Sequence, residues 1–193
     1  MASSINYAIL YIVTSVFNLY IMLLITRILL QVGRANPINP LTRLIISITK
    51  WPLGLGQHFL PTIKNIDTAI ILVMLVTSCI KIYLITYIAN GILLPNILGL
   101  IIWAIGDIGL QLMNLFFYAI IIQVIASWIT MTTSPILEVV YYITAPIMKL
   151  CRRLTPTIGG LDISPVLAIL MIKLIEILFI WNIISFGKLL STT

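Results

Sequence analysis

The sequence predicts an all-α membrane protein, with four transmembrane helices in two tandem parallel repeats, each carrying an interfacial amphipathic-helix loop. Three observations predict it. Of 193 residues, 61% are apolar and only 8% charged, where globular domains run near half and a quarter. A soluble fold of that composition would lack polar surface. The apolar residues gather in four stretches long enough for a hydrocarbon core of roughly 30 Å at about 1.5 Å per residue. Finally, Pro40/Pro135, Pro61/Pro156 and Asp67/Asp162 recur at one offset of 95 positions, with Thr49/Thr144, Thr62/Thr157, Ile63/Ile158 and Leu72/Leu167 in the same register. Identical apolar residues are expected by chance in such a chain; matched prolines and aspartates are not.

The repeats are read as residues 1–94 and 95–193. Ile5 to about Gln31 is the first span, expected to be retained because no basic segment or small-residue cleavage pattern marks it for removal. Arg27 lies near its far end, where a long stem carries charge to the interface, and Asn18 sits mid-span in need of a partner. The first loop, 33–67, opens on Asn39-Pro40, an N-cap followed by proline at the first helical position. Leu41, Leu44, Ile45 and Ile48 then form one apolar stripe, with Arg43, Ser47 and Lys50 off it and Trp51 as an anchor, the pattern of a helix lying in the interface. Pro52, Gly54 and Gly56 are expected to break it.

Asp67 caps the second span, Thr68 to about Asn90, whose interior carries Lys81. After a turn at Gly91 to Asn96, the apolar run from Ile97 to Thr130 exceeds one span. It reads as an interfacial beginning loosened at Gly106 and Gly109, followed by the third span proper. Asp107, Gln111, Asn114 and Tyr118 recur at helical spacing as a polar stripe. The second loop, 132–162, repeats the first. Ser134-Pro135 opens a helix with Ile136, Val139, Val140 and Ile143 on one face; Pro146 ends it. A shorter segment, Ile147 to Leu154, presents Lys149, Arg152 and Arg153. Pro156 and Gly159-Gly160 turn the chain into the fourth span, Ile163 to about Phe186, with Lys173 and Glu176 inside.

The net charge of +6 does not indicate nucleic acid, because the basic residues are scattered between spans and form no aromatic-interleaved face. The long loops hold Arg34, Arg43, Lys50, Lys64, Lys149, Arg152 and Arg153, and the opposite side holds Lys188. The positive-inside rule therefore puts the loops in the cytoplasm and both termini outside. Cys79 and Cys151 fall at different depths, so no disulfide is expected, and no metal-spaced Cys/His set occurs. His58 stands alone in a loop. Lacking a nucleophile–base set, a phosphate-cradling loop and a haem-attachment motif, the chain is not expected to be an enzyme or to hold a cofactor or metal.

Charges inside spans cost at least about 2.5 kcal/mol on insertion scales, so Lys81, Lys173 and Glu176 must be paired or functional. Lys173 and Glu176 neighbour each other on one helix face. Lys81 is the repeat-mate of Glu176, so an intramembrane cluster Lys81–Glu176–Lys173 is expected if the second and fourth spans meet. Asp107, Gln111 and Asn114 either bond helices together or line a hydrated path. In the second loop, Asp162 is expected to cap a helix or to bond Arg152 or Arg153.

Arg152-Arg153, Pro156, Gly159-Gly160, Asp162 and Ser164-Pro165 before an apolar span, with Ser134-Pro135 and Pro146 ahead of them, resemble the duplicated signature of the YggT family, and the likeness covers nearly the whole chain. The first copy departs from it, with Gln57-His58 in place of the arginines and Lys64-Asn65 in place of the glycines. The resemblance implies a multi-pass protein of the bacterial inner membrane, linked to cell-division neighbourhoods, to osmotic or ion homeostasis and, in plastid relatives, to cytochrome haem attachment and nucleoid distribution. The leading expectation is a non-enzymatic assembly or organising factor. Its basic loop residues (Ser134, Pro135, Lys149, Arg152, Arg153, Pro156, Gly159, Gly160, Asp162) would meet anionic lipid headgroups and a membrane or cytoplasmic protein partner. The alternative is a transporter or channel component in ion or osmotic balance, working as a homo-oligomer because four spans leave little room for a pore.

Overall fold

The computed structural model describes residues 2–57, 62–63, 66–91, 96–129, 134–155 and 162–192. Four helical stretches among them are long and apolar enough to cross a membrane: Ser4–Val32, Thr68–Ala89, Ile97–Trp128 and Ser164–Ser191. They belong to α1 (Ala2–Val32), α3 (Thr68–Asn90), α4 (Ile97–Trp128) and an interrupted fourth helix. That last one joins α6 (Ser164–Ile175), one π-helical turn (Glu176–Ile180) and α7 (Trp181–Thr192). Two further helices, α2 (Pro40–Gln57) and α5 (Pro135–Leu154), precede the second and fourth spans, and β1 (Thr62–Ile63) pairs with β2 (Ile66–Asp67) just before α3. The chain is a helical, multi-pass membrane protein.

Short polar side chains start these helices. Asn39 Oδ1 accepts from the Leu41 amide at 2.9 Å, Asp67 Oδ1 from Ala69 at 3.2 Å and Ser134 Oγ from Ile136 at 3.3 Å. Each satisfies a backbone donor that the first helical turn leaves free. Gly91 ends α3 in the left-handed conformation, φ +66°, and donates to the Tyr87 carbonyl, a backbone state that glycine adopts without steric cost.

Two expected helix breaks are absent. The helix α2 runs through Pro52, and α5 runs through Pro146 as one helix to Leu154. A proline removes one backbone bond, but the buried faces continue across both. Ile45, Thr49 and Leu53 are buried in α2, and Ile143, Thr144, Met148 and Cys151 in α5. Packing of those faces outweighs the lost bond.

The third span is likewise continuous over 32 residues, so Gly106 and Gly109 do not loosen it. They are contact points. A Cβ on Gly99 would lie 2.3 Å from the Ser191 nitrogen, one on Gly106 2.7 Å from Ile184 Cγ1, one on Gly109 2.8 Å from Ile180 Cδ1, and one on Gly187 2.4 Å from the Trp103 nitrogen. The four glycines form a seam along which α4 and the fourth helix approach closely and antiparallel, as small residues allow in membranes. They meet backbone at Gly99 and Gly187 and isoleucine side chains at Gly106 and Gly109.

The helix α4 lies at the centre, touching α1 and α3 on one flank and α5, α6 and α7 on the other. The core therefore has two lobes. Ile21, Leu24, Leu53, Ala69 and Ile70 fill one; Phe116, Ile120, Val140, Ile143, Cys151 and Ile172 fill the other. Leu29, Leu112 and Leu115 pack against both. Outward faces keep large apolar side chains exposed, such as Tyr11, Val16 and Leu19 on α1 and Leu170, Leu174 and Phe179 on the fourth helix, as a bilayer solvent requires.

Candidate functional site

Lys81 is 2% exposed inside the bundle. Its ammonium bonds Asp107 Oδ2 on α4 at 2.5 Å and Asn18 Oδ1 on α1 at 2.8 Å. Asp107 Oδ2 also accepts from the Ser78 hydroxyl at 2.8 Å. One lysine thus bonds to the two neighbouring spans, its charge met by a carboxylate and a second donor by a neutral acceptor. This is how a buried charge avoids its desolvation cost. Asn18 has the partner that its mid-span position called for.

The expected cluster of Lys81 with Glu176 and Lys173 does not form. Because α4 lies between α3 and the fourth helix, the repeat-mates Lys81 and Glu176 face different neighbours. Glu176 is buried at the start of the π turn and takes its own-helix neighbour Lys173 at 2.7 Å. The Lys173 side chain is 41% exposed and lies with its ammonium 5.0 Å from the centre of the Phe117 ring on α4. The interior holds two separate pairs.

Sequence reasoning assigned Asp107 to a stripe and passed over Ser78. An available signal was elimination. The chain has five acidic residues: Asp67 and Asp162 precede helices, Glu138 lies outside the four spans, and Glu176 has a lysine three positions away. Only Asp107 was left for Lys81. The rest of the stripe leaves the cluster, for Gln111 is buried, Asn114 half-buried and Tyr118 exposed, and none of them bonds Lys81.

Arg27, expected to reach outward, turns in. It is 7% exposed, and Nη1 donates to Thr49 Oγ1 on α2 at 2.7 Å. The hydroxyl holds it because α2 packs against this end of α1.

The loop helices meet at their N-termini. Asn39 Nδ2 donates to Glu138 Oε2 at 2.6 Å and to the Pro135 carbonyl at 3.0 Å, so both long connections lie at one end of the bundle. At the other end the Asn96 amide reaches the Ser191 carbonyl at 3.4 Å. Further along α5, Thr144 Oγ1 donates to Gln123 Oε1 on α4 at 2.6 Å. Lys149, Arg152 and Arg153 are exposed and line a cavity of ≈ 420 Å³ with Gln123, Tyr141 and Thr144. Arg152 Nε donates to Asp162 Oδ2 at 3.1 Å, while Asp162 Oδ1 accepts from the Ser164 amide at 2.9 Å. Hydrogen bonding from the Ser164 hydroxyl above all, then from its amide and from Arg152, holds the Asp162 carboxyl below its ordinary value. Lys149 and Arg153 have no hydrogen bond or ion pair among the described residues. Burial pushes the nearby Cys151 thiol up, away from thiolate chemistry. The other loop residues singled out, Pro156, Gly159 and Gly160, lie outside the described residues, as do His58, Lys64 and Asn65.

Comparison with known proteins follows this architecture. The CCB3/YggT family model matches residues 6–88 and again residues 97–183. A Pseudomonas aeruginosa protein described as uncharacterized is 35% identical over 180 residues, 92% of this chain and 91% of its own. The protein YggT of Escherichia coli strain K12, also described as uncharacterized, is 30% identical over 166 residues, 86% of each chain. A Vibrio alginolyticus protein described by its position in the proC 3′ region is 35% identical over 162 residues, 80% of this chain and 83% of its own. No solved structure matches.

Proposed function

The chain belongs to the CCB3/YggT family, and from that premise we propose that it is a non-enzymatic organising or assembly factor of the bacterial inner membrane. In this reading two tandem repeats set two amphipathic loop helices on the cytoplasmic face, with both termini outside. The exposed Lys149–Arg153 face of α5 meets anionic headgroups and docks a protein partner.

One observation carries the reading. Every acidic side chain has a bond that holds the fold together: Asp67 and Asp162 at helix starts, Glu138 with Asn39, Asp107 with Lys81, and Glu176 with Lys173. Lys149 and Arg153, in contrast, are held by nothing within the described residues. Carboxylates so engaged are poorly placed to serve as general bases or ion ligands, while unpaired surface cations each contribute about 1 kcal/mol of attraction to an anionic membrane. The two matches of the family model support the repeat. So do the repeat-mates Thr49 and Thr144, which are buried and each grip a polar side chain of the span before them, Arg27 and Gln123.

Photo-crosslinkers placed at Lys149 and Arg153 in intact membranes test this. A discrete protein adduct from these positions is the expected result, with the adduct from 149 lost in Arg153→Glu. The transporter reading draws on the buried Lys81–Asp107–Asn18 cluster, and potassium and sodium flux into liposomes decides against it or for it. Flux through wild-type protein that disappears in the charge-free Lys81→Met/Asp107→Leu variant would replace the proposed role with transport.

A further inference from the structure

At the loop end of α1 is a second cavity, of ≈ 280 Å³, whose polar lining consists of Arg27, Gln31, Arg34 and Thr42, with Leu30 and Ile46 among its apolar walls. No carboxylate lines it. Arg27 is buried, and only its Nη1 finds acceptors, Thr49 Oγ1 at 2.7 Å and the Ile46 carbonyl at 3.4 Å; its Nε is buried with no acceptor. The nearest acidic group, Asp67, interacts with Arg27 electrostatically but does not line the cavity. Arg34 has no side-chain bond among the described residues and is held at φ 51°, a left-handed backbone that a non-glycine residue adopts at a cost. Gln31 uses its Oε1 on the Asp67 amide, leaving its Nε2 donor without an acceptor among the described residues. Three carbonyls of the last turn of α1, which would repel an anion, are already occupied. Leu29, Leu30 and Gln31 accept from Gly33, Ala35 and Arg34.

We infer that this cavity binds a phosphate group at the membrane boundary, held by Arg27 and Arg34 with Gln31 and Thr42, while Leu30 and Ile46 meet the apolar part of the molecule that carries it. Guanidinium groups suit phosphate because their planar fork presents two parallel donors to two oxygens. The end of an apolar span is the depth of lipid phosphates, so a headgroup is one source and soluble phosphate the other. This site lies on the first loop, apart from the α5 face, and does not depend on the docking role proposed above.

The test uses the full chain in nanodiscs of phosphatidylcholine doped with phosphatidylglycerol, with native mass spectrometry reading the lipid retained. Wild type is expected to keep phosphatidylglycerol. Arg34→Gln is expected to weaken retention about tenfold, the scale of one lost charge-assisted contact. Thr42→Val, which removes only a hydroxyl, weakens it less, and Lys188→Gln, at the opposite end of the bundle, leaves it unchanged. In a second arm inorganic phosphate is titrated against each variant by ³¹P NMR. Binding of inorganic phosphate that Arg34→Gln abolishes assigns the site to soluble phosphate, and retention of lipid alone assigns it to a headgroup. A wild type that holds neither probe, or retention that Lys188→Gln lowers as much as Arg34→Gln does, overturns the site.

Discussion

Lys81 and Glu176 stand 95 positions apart, one in each half of the chain, yet they meet opposite surroundings. In the first half the charge crosses helices. Lys81 on α3 is bonded to Asp107 on α4 and Asn18 on α1. In the second half the charge stays on its own helix, where Glu176 pairs with Lys173 three residues back. The helices differ in parallel. No glycine occurs in α3, while Gly99, Gly106, Gly109 and Gly187 let α4 and the fourth helix approach closely. Lipid supplies no hydrophobic drive to pair helices, so either close small-residue packing or polar bonding must do it. This bundle uses polar bonding on one flank of α4 and a glycine seam on the other.

If that comparison is sound, the largest single loss follows from Lys81→Met. It leaves Asp107 buried against Ser78 without its cation, and breaking one side of such a pair costs about 3–5 kcal/mol. Protonation of the orphaned carboxyl limits the loss. The double variant Lys81→Met/Asp107→Leu is expected to recover most of it, since apolar replacement of both partners removes the desolvation cost. The midpoint of unfolding in sodium dodecyl sulfate reads both. A double variant as weak as the single one would mean that the pair is not the fastening of this flank.

The opposite flank is tested by Gly187→Leu. A Cβ at 187 already lies 2.4 Å from the Trp103 backbone nitrogen, so α7 must move away from α4. Overpacking of this kind costs about 1–3 kcal/mol, and the same unfolding assay reads it. The displacement is expected to lower cysteine crosslinking between positions 103 and 188, which face each other across the seam, while leaving Lys81 with Asp107. Unchanged crosslinking and midpoint would show that the seam contributes no fastening.

How much of this was legible beforehand follows from the range of each interaction. Capping is local, so Asn39, Asp67 and Ser134 could be assigned from their immediate sequence. The spans could be placed because hydropathy needs no partner. What escaped was long-range. That Lys81 meets Asp107 rather than Glu176 depends on which helix lies between, and hydropathy does not fix helix order. The glycines of α4 carry two signals, helix weakening and close approach, and only the neighbour decides between them. Pro52 and Pro146 were read as stops because the proline cost is local while the packing that offsets it is not. The inward turn of Arg27 needs Thr49, and the loop signature at 156–160 lies outside the described residues.

A smaller effect sharpens the contrast between the two charge pairs. Glu176→Gln removes an ion pair whose lysine is partly exposed and keeps a hydrogen-bonding side chain of the same shape. The amide oxygen can still accept from Lys173, whose ammonium also keeps its place 5.0 Å from the centre of the Phe117 ring, so the unfolding midpoint is expected to shift less than for Lys81→Met. A loss as large as that of Lys81→Met would erase the distinction between the flanks.

The smallest effect belongs to the exposed pair outside the bundle. The folded state holds the Asp162 carboxyl below its ordinary value, so its contribution is full above the unfolded value of about 3.9 and is lost as pH falls through the folded one. With half of the Arg152 side chain open to solvent, screening leaves the contribution local. Its readout is hydrogen exchange at the Ser164 amide, which Asp162 Oδ1 accepts. Protection there, corrected for the intrinsic pH dependence of exchange, is expected to hold at pH 6 and to fall below about pH 4. Asp162→Asn is expected to remove that pH dependence, since an amide does not titrate in the range, and Arg153→Gln is expected to leave it in place. A pH dependence that survives Asp162→Asn would assign the start of α6 to some other group and leave Arg152 as a free cation of the α5 face, beside Lys149 and Arg153.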